Sequence, residues 1–226
     1  MDPRIQEIIE KEYAPQRSDE WLALREGMLT ASDVATVINQ NPYEKPKDLI
    51  LKKCGLKTFT GNAATQHGNE LEDTAREMYD EQYNQVTHEI GLYPHPTISW
   101  LGGSADGVTE SGRLVEIKCP LSRDIGDGTI PGHYMPQVQL LMHILDLPVC
   151  DFVQYKPAHV AFPKPEQFTV VEVPRQDDWL EKHYDTMKAF WEQVEWNRAN
   201  PGHLKLPQKR GPRKHKDTTE KICEII

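Results

Sequence analysis

The chain has 226 residues, 38% of them hydrophobic and 27% charged, and a net charge of −9. That length supports about one large domain with a full core, and no apolar run approaches the ~18 residues a membrane span needs. A charge this negative argues against a general nucleic-acid binder.

Four cysteines (Cys54, Cys119, Cys150 and Cys223) show no CxxC pairing, which fits reduced thiols better than a disulfide frame or a zinc site. The opening MDPRIQEIIEKEY has no apolar stretch followed by a cleavage site, so the expectation is an intracellular protein without signal or transit peptide. Residues 3–13 and 18–26 read as helices, the second opened by Ser18 as N-cap and closed by Gly27. Thr30-Ala-Ser-Asp33 has the capping-box form and starts a helix through about Ile38. Residues 46–54 read as helical too. A long helix from about 63 to 84 brings Leu71, Ala75, Met78 and Tyr83 near one face. The period then changes. Residues 86–93, 98–101, 105–109 and 113–118 read as short strands broken by Pro, Gly and Ser. A Gly-rich loop from Gly126 to Gly132 leads into a helix at about 135–146, strands at 151–156 and 167–173, and a last helix at about 176–197. This order predicts an α/β fold, a central mixed sheet flanked by helices, in one domain over residues 1–200.

From Pro201 onward seven Lys and Arg face three Asp and Glu, a local +4 that leaves −13 on residues 1–200. The run LPQKRGPRKHK, rich in Pro and Gly, reads as a basic, flexible C-terminal arm. A solvated tail, a DNA-contacting arm and a nuclear import signal all share this composition.

The segment Leu114-Val115-Glu116-Ile117-Lys118 sets a Glu and a Lys on one face of an otherwise apolar strand. Burying them costs several kcal/mol, by a rough estimate, unless a partner compensates. Upstream lies Gly103-Ser-Ala-Asp106-Gly107, and Glu110-Ser111-Gly112 between the two is a hairpin turn signal. A hairpin symmetric about Ser111 places Asp106 opposite Glu116, with side chains ~5 Å apart. Two such carboxylates repel, and a cation between them resolves the repulsion. Mg²⁺, or Mn²⁺, takes carboxylate and carbonyl oxygens. Beside a metal, the Lys118 ammonium can orient a water and stabilise charge developing on phosphorus. The alternative is a surface hairpin carrying a Glu/Lys ion pair. Glu72 lies at the margin of the 63–84 helix, one turn after Gly68 where a backbone or ligand can approach, and either supplies another metal ligand or is simply solvated. Gln137 and Gln139 sit in an apolar helix start and point about 200° apart, so at least one faces inward and needs a partner. Arg25 with the Thr30-Ala-Ser32 helix start offers an anion site, or else a cap and a surface arginine.

These segments carry a resemblance. Trp21-Leu-Ala-Leu-Arg25 through Ser32, Gly68-Asn-Glu-Leu-Glu72, Ser104-Ala-Asp106-Gly107, Glu116-Ile-Lys118-Cys-Pro, Ser122-Arg123 and Tyr134-Met-Pro-Gln137-Val-Gln139 resemble, in order and spacing, the phage lambda exonuclease or YqaJ-type viral recombinases. These belong to the PD-(D/E)xK nucleases with their restriction-endonuclease-like core. The resemblance implies Asp106, Glu116, Glu72 and the carbonyl of Ile117 as metal ligands, two ions per active site, and Lys118 as the catalytic lysine. It further implies Gln137 beside the site, and Arg25, Ser32 and Arg123 as phosphate contacts. Ala105 stands where the superfamily label has Pro. The implied activity is Mg²⁺-dependent 5′→3′ digestion of linear double-stranded DNA with 5′-phosphorylated ends, by a homotrimer of phage or viral origin with a single-strand annealing protein as partner. The competing readings are an endonuclease of the same superfamily and a non-catalytic DNA-binding subunit. The basic arm has no counterpart in the matched motifs.

Overall fold

The segment whose charges need explaining, Leu114–Lys118, is a strand with its first four residues buried, and it runs through the middle of a sheet. Such a strand is covered on both faces, which is why its sequence is nearly all apolar apart from two charges. The computed structural model describes residues 1–57, 61–158 and 165–204, so most of the basic arm, and Cys223 with it, lies outside the described residues.

Among the described residues six strands form one mixed sheet: β1 (Leu29–Thr30), β2 (Thr87–Pro94), β3 (Leu101–Thr109), β4 (Leu114–Lys118), β5 (Val149–Lys156) and β6 (Gln167–Pro174). Their order is β1-β3-β4-β5-β6, with β2 also paired to β3. β4 runs parallel to β5 over its whole length, from Leu114↔Cys150 to Lys118↔Gln154. The other pairings are antiparallel except β1 with β3. Among the described residues seven α-helices accompany the sheet: α1 (Pro3–Glu10), α2 (Asp19–Glu26), α3 (Val34–Val37), α4 (Pro46–Lys53), α5 (Ala63–Tyr83), α6 (Met135–Ile144) and α7 (Trp179–Ala199).

Two apolar cores result, one on each face of β4. Leu114 and Phe152 join the larger one with α6 and α7, while Val115, Ile117 and Val153 face Ala75 and Tyr79 of α5. The alternation of a strand therefore assigns Glu116 and Lys118 to the α6 side.

The edges of β3 decide where a site can open. β2 lies along one edge, from Thr87↔Thr109 to Pro94↔Gly102. The opposite edge is shared, with β1 on Leu101 and Gly102 and β4 on Gly107 and Val108. Between them, among the described residues, residues 103–106 have no strand partner on that edge.

Several expectations shift. In place of strands at 98–101 and 105–109 there is one, Leu101–Thr109, entered from a turn at 99–100, and its glycines, read as breaks, serve close packing instead. A Cβ on Gly103 would stand 2.6 Å from Leu141 Cδ2 of α6. β1 escapes periodicity, since two residues carry none. The helix expected through Ile38 is a 3₁₀ turn (Ala31–Asp33) followed by the four residues of α3, although the capping box between Thr30 and Asp33 forms. On α5 the buried aromatic is Tyr79, not Tyr83, which is 43% exposed and stacks on Tyr79 instead. Among the described residues nothing stands within 4 Å of a Cβ at Gly68, so no close neighbour there demands that glycine.

Candidate active site

Asp106 ends the unpartnered stretch of β3, at the fork where β3 and β4 part. The pairs Gly107↔Val115 and Val108↔Leu114 have the register of the symmetric hairpin. One step further the strands separate, and the Ile117 N–H donates to the Asp106 carboxylate, at 2.7 Å to Oδ2. A strand residue points its N–H and C=O to the same side, so the Ile117 carbonyl faces the same fork.

Glu116 is fully buried. Its Oε1 accepts from Gln137 Nε2 at 2.5 Å and from the Lys118 ammonium, whereas Oε2 has no hydrogen-bond partner among the described residues. Lys118 Nζ stands 3.6 Å from Asp106 Oδ2 and 5.5 Å from the centre of the Tyr134 ring. Burial first, then repulsion from Asp106, pushes the Glu116 carboxyl up to about 8 even with Lys118 alongside. Burial pulls Lys118 down, but Glu116 and Asp106 outweigh it and hold the ammonium well above its ordinary value. In this arrangement Lys118 supplies the positive charge that the carboxylates need.

A buried carboxylate oxygen without a partner, beside a second carboxylate and a backbone carbonyl, is a set of hard oxygen donors that fits Mg²⁺ or Mn²⁺. Among the described residues no three His, Cys, Asp or Glu side chains converge as a ready cage.

Glu72 stands differently from the expectation. Its Oε2 takes Arg17 Nη2 at 2.7 Å and its Oε1 takes Arg76 Nη2 at 3.3 Å, so both oxygens already have cationic partners. Burial and the nearby Asp106 charge still raise its pKa against these arginines, which puts it within electrostatic reach of the fork. Arg17 reaches it from a backbone in the left-handed region, at φ 69°. Sequence gives no signal for this clamp, because Arg17 and Glu72 are 55 residues apart.

The phosphate-type residues flank the fork. Arg25 Nη2 donates to Ser32 Oγ at 2.8 Å, and its guanidinium lies 4.3 Å from the Trp21 ring. The Trp21 indole N–H donates to Ser104 Oγ at 2.9 Å, tying this pair to the bare stretch of β3. Behind it, the Lys53 ammonium bonds Asp33 Oδ2 at 2.7 Å and the carbonyls of Arg25 and Met28 at 2.8 and 2.7 Å. Lys53, at the end of a helix, reads in sequence as an ordinary surface lysine, yet it is buried. With only the 3₁₀ turn and a four-residue helix behind Ser32, little helix dipole is available there, and Arg25 carries the positive charge. Arg123 sits beyond Lys118, its Nη2 donating to Gln154 Oε1 at 2.6 Å. The two glutamines of α6 separate as their spacing requires. Gln137 meets Glu116, while buried Gln139 donates to the Pro174 carbonyl at 3.0 Å and accepts from the Gln176 N–H at 2.8 Å.

The chain has counterparts among known proteins. An alkaline exonuclease of Laribacter hongkongensis is 30% identical with a TM-score of 0.70, over 82% of this chain and 96% of that one. A phage-related exonuclease of Haemophilus somnus shares the fold at 16% identity and a TM-score of 0.59, over 77% of this chain and 96% of its own. A protein of Acanthamoeba polyphaga mimivirus is 35% identical over 159 residues, 62% of this chain and 29% of that protein. A protein of African swine fever virus is 30% identical over 57% of this chain and 46% of its own length. The chain thus spans less than half of these two viral relatives. The model of the YqaJ-like viral recombinase domain matches residues 20–147, more than half of the chain and every residue named at the fork, and it is to this family that the chain belongs.

Proposed function

We propose that the protein is a divalent-metal-dependent exonuclease that degrades linear double-stranded DNA from 5′-phosphorylated ends, leaving 3′ single strands for recombination. The observation that carries this reading is the partnerless Glu116 Oε2, buried at the fork beside Asp106 and Lys118. The likeness to an alkaline exonuclease over nearly all of that chain supports it, and that exonuclease also forms a complex with dAMP.

Asp106, Glu116 and the Ile117 carbonyl would hold one Mg²⁺, and Glu72 a second after yielding at least one arginine. Bound there, the metal supplies an activated water and charge stabilisation for the attacked phosphorus and leaving oxygen. The chain's own groups do the rest. Lys118 keeps its proton and places positive charge beside the reacting phosphate. Gln137 fixes the rotamer of Glu116. Arg25 and Ser32 hold a terminal phosphate, which carries up to one more charge than an internal one, and Arg123 holds a neighbouring phosphate.

Residues 1–200 are read as one nuclease domain. A homotrimer, an annealing protein partner and a viral or phage origin belong to the same reading, the last supported by the viral relatives. No helix among the described residues is long and apolar enough to cross a membrane.

The test compares end-labelled linear duplex with closed circular DNA, with and without Mg²⁺. Loss of linear duplex only, only with metal, and faster from 5′-phosphate than from 5′-hydroxyl ends is the expected result. Arg25→Ala should erase the phosphate preference, and Arg25→Lys should restore it only in part, because an ammonium lacks the planar fork. Cleavage of closed circles, or no dependence on the 5′ group, replaces this reading with an endonuclease.

A further inference from the structure

A row of aromatic rings leads from Lys118 out to solvent. Tyr134 lies beneath the Lys118 ammonium and packs on fully buried Phe152, with ring centres 5.7 Å apart. His133 packs on Tyr134 at 4.2 Å, and Tyr43 meets His133 edge-on at 5.5 Å and 89°. Tyr43 is 83% exposed and belongs to neither apolar core. Its exposure is not that of a loose loop. The Tyr43 N–H donates to Asn41 Oδ1 at 2.9 Å, and Asn41 Nδ2 donates to Thr36 Oγ1 at 2.8 Å. The N–H groups of Gln40 and Asn41 both reach the Ala35 carbonyl, at 2.7 and 3.0 Å. The ring is therefore presented to solvent by a backbone that is pinned in place.

Burial, then the charges of Arg123 and Lys118, hold the His133 imidazole below its ordinary pKa, so at neutral pH it offers an uncharged ring between the site and Tyr43. An exposed aromatic face beside phosphate-binding cations is the arrangement that single-stranded nucleic acid stacks on, and it tolerates any base because every base has a π-face. A base inside a duplex cannot reach such a ring, so its ligand has to be unstacked first.

We propose that Tyr43 and His133 form a stacking platform for an unpaired nucleobase of the strand held at the fork, adjacent to the phosphates that Lys118 and Arg123 contact. The platform rests on the nuclease reading and adds to it a grip on the frayed end that does not depend on sequence. It requires the duplex end to open before the phosphate reaches Lys118.

The test is steady-state digestion of 5′-phosphorylated linear duplex by the full chain, resolving KM from kcat. Loss of one base stack weakens binding roughly 5- to 150-fold, so Tyr43→Ala should raise KM within that range and lower kcat by less. Tyr43→Phe and Tyr43→Trp should restore KM to within about twofold, whereas Tyr43→Leu, apolar without a π-face, should behave like Tyr43→Ala. In a Lys118→Ala background, 2-aminopurine placed near the 5′ end should be quenched on binding and regain emission when Tyr43→Ala is added. A KM for Tyr43→Ala within about twofold of wild type removes the platform while leaving the nuclease reading intact. A rise in KM accompanied by a change in oligomer mass on light scattering also removes it, and assigns Tyr43 to an interface between copies. Wild-type protein inert on linear duplex with Mg²⁺ would overturn both proposals together.

Discussion

The two ends of β4 carry buried acids under opposite arrangements. At its start, Asp151 on β5 is enclosed by its own partners. Arg113 reaches both of its oxygens at 2.6 and 2.7 Å, and the Tyr79 hydroxyl adds a third bond at 2.6 Å. The same guanidinium continues to Glu172 at 2.6 Å. At the far end, Glu116 is buried too, but while its Oε1 takes Lys118 and Gln137, its Oε2 has no hydrogen-bond partner among the described residues. A group that serves the fold has its hydrogen bonds completed by the chain, because an incomplete set costs stability. A group left incomplete in the centre of a sheet is the one whose removal should cost function rather than folding.

The largest effect that tests this contrast is on catalysis. Asp106→Ala or Glu116→Ala should abolish cleavage of linear duplex while the variant stays folded, as read from activity beside the thermal midpoint. Lys118→Ala should keep DNA and metal affinity yet lose turnover by about 100- to 1,000-fold. Near-normal hydrolysis by either carboxylate variant erases the distinction between the two ends. Next in size, Asp151→Asn should destabilise the fold by about 3 kcal/mol, because Arg113 loses a paired, hydrogen-bonded charge. Its activity per folded molecule should be unchanged, as read from chemical denaturation beside an active-site titration.

The same division recurs within α6 at smaller scale. Gln139→Ala should cost about 1–3 kcal/mol of stability and leave turnover per folded molecule alone, since its two bonds tie the helix to the last residue of β6 and to the segment after it. Gln137→Ala should do the reverse, lowering kcat about tenfold, an order-of-magnitude figure for a lost orienting contact, with a smaller change in midpoint. The smallest expected effect is a pH dependence. The folded-state pKa of Glu116 lies above its ordinary value of 4.5, at about 8, so its charge opposes folding of the metal-free protein at high pH. That opposition fades as pH falls from about 8 toward 4.5 and the carboxyl takes up its proton. Glu116→Gln should therefore melt higher than wild type in chelator at pH 9, with the gap narrowing toward pH 5. A gap that widens on acidification would show that the Lys118 pairing outweighs burial.

Much of this is legible in local sequence. The helices α2, α4 and α5 follow from caps, periodicity and terminal glycine or asparagine, signals that act within one or two turns. The hairpin register follows from the Glu110-Ser111-Gly112 turn, whose Gly112 adopts φ +83°, so the proximity of Asp106, Glu116 and Lys118 follows from residue spacing alone. The divergence of Gln137 and Gln139 is equally plain from their spacing. Which of them meets the carboxylate is not, since that depends on how α6 lies on the sheet.

What the sequence determined by itself is the short-range part: the chemistry of Asp106, Glu116 and Lys118, and the turn that holds them together. Only the tertiary structure decided the rest. The gap on β3 exists because β1 and β4, far apart in the chain, dock on one edge and leave residues 103–106 bare between them. Glu72 is clamped by Arg17, and Lys53 is buried under Arg25 and Asp33, through contacts between distant stretches of sequence. Such pairings depend on which faces the two cores bring together, and no local spacing encodes them, because a cation and its carboxylate attract equally well from any separation along the chain.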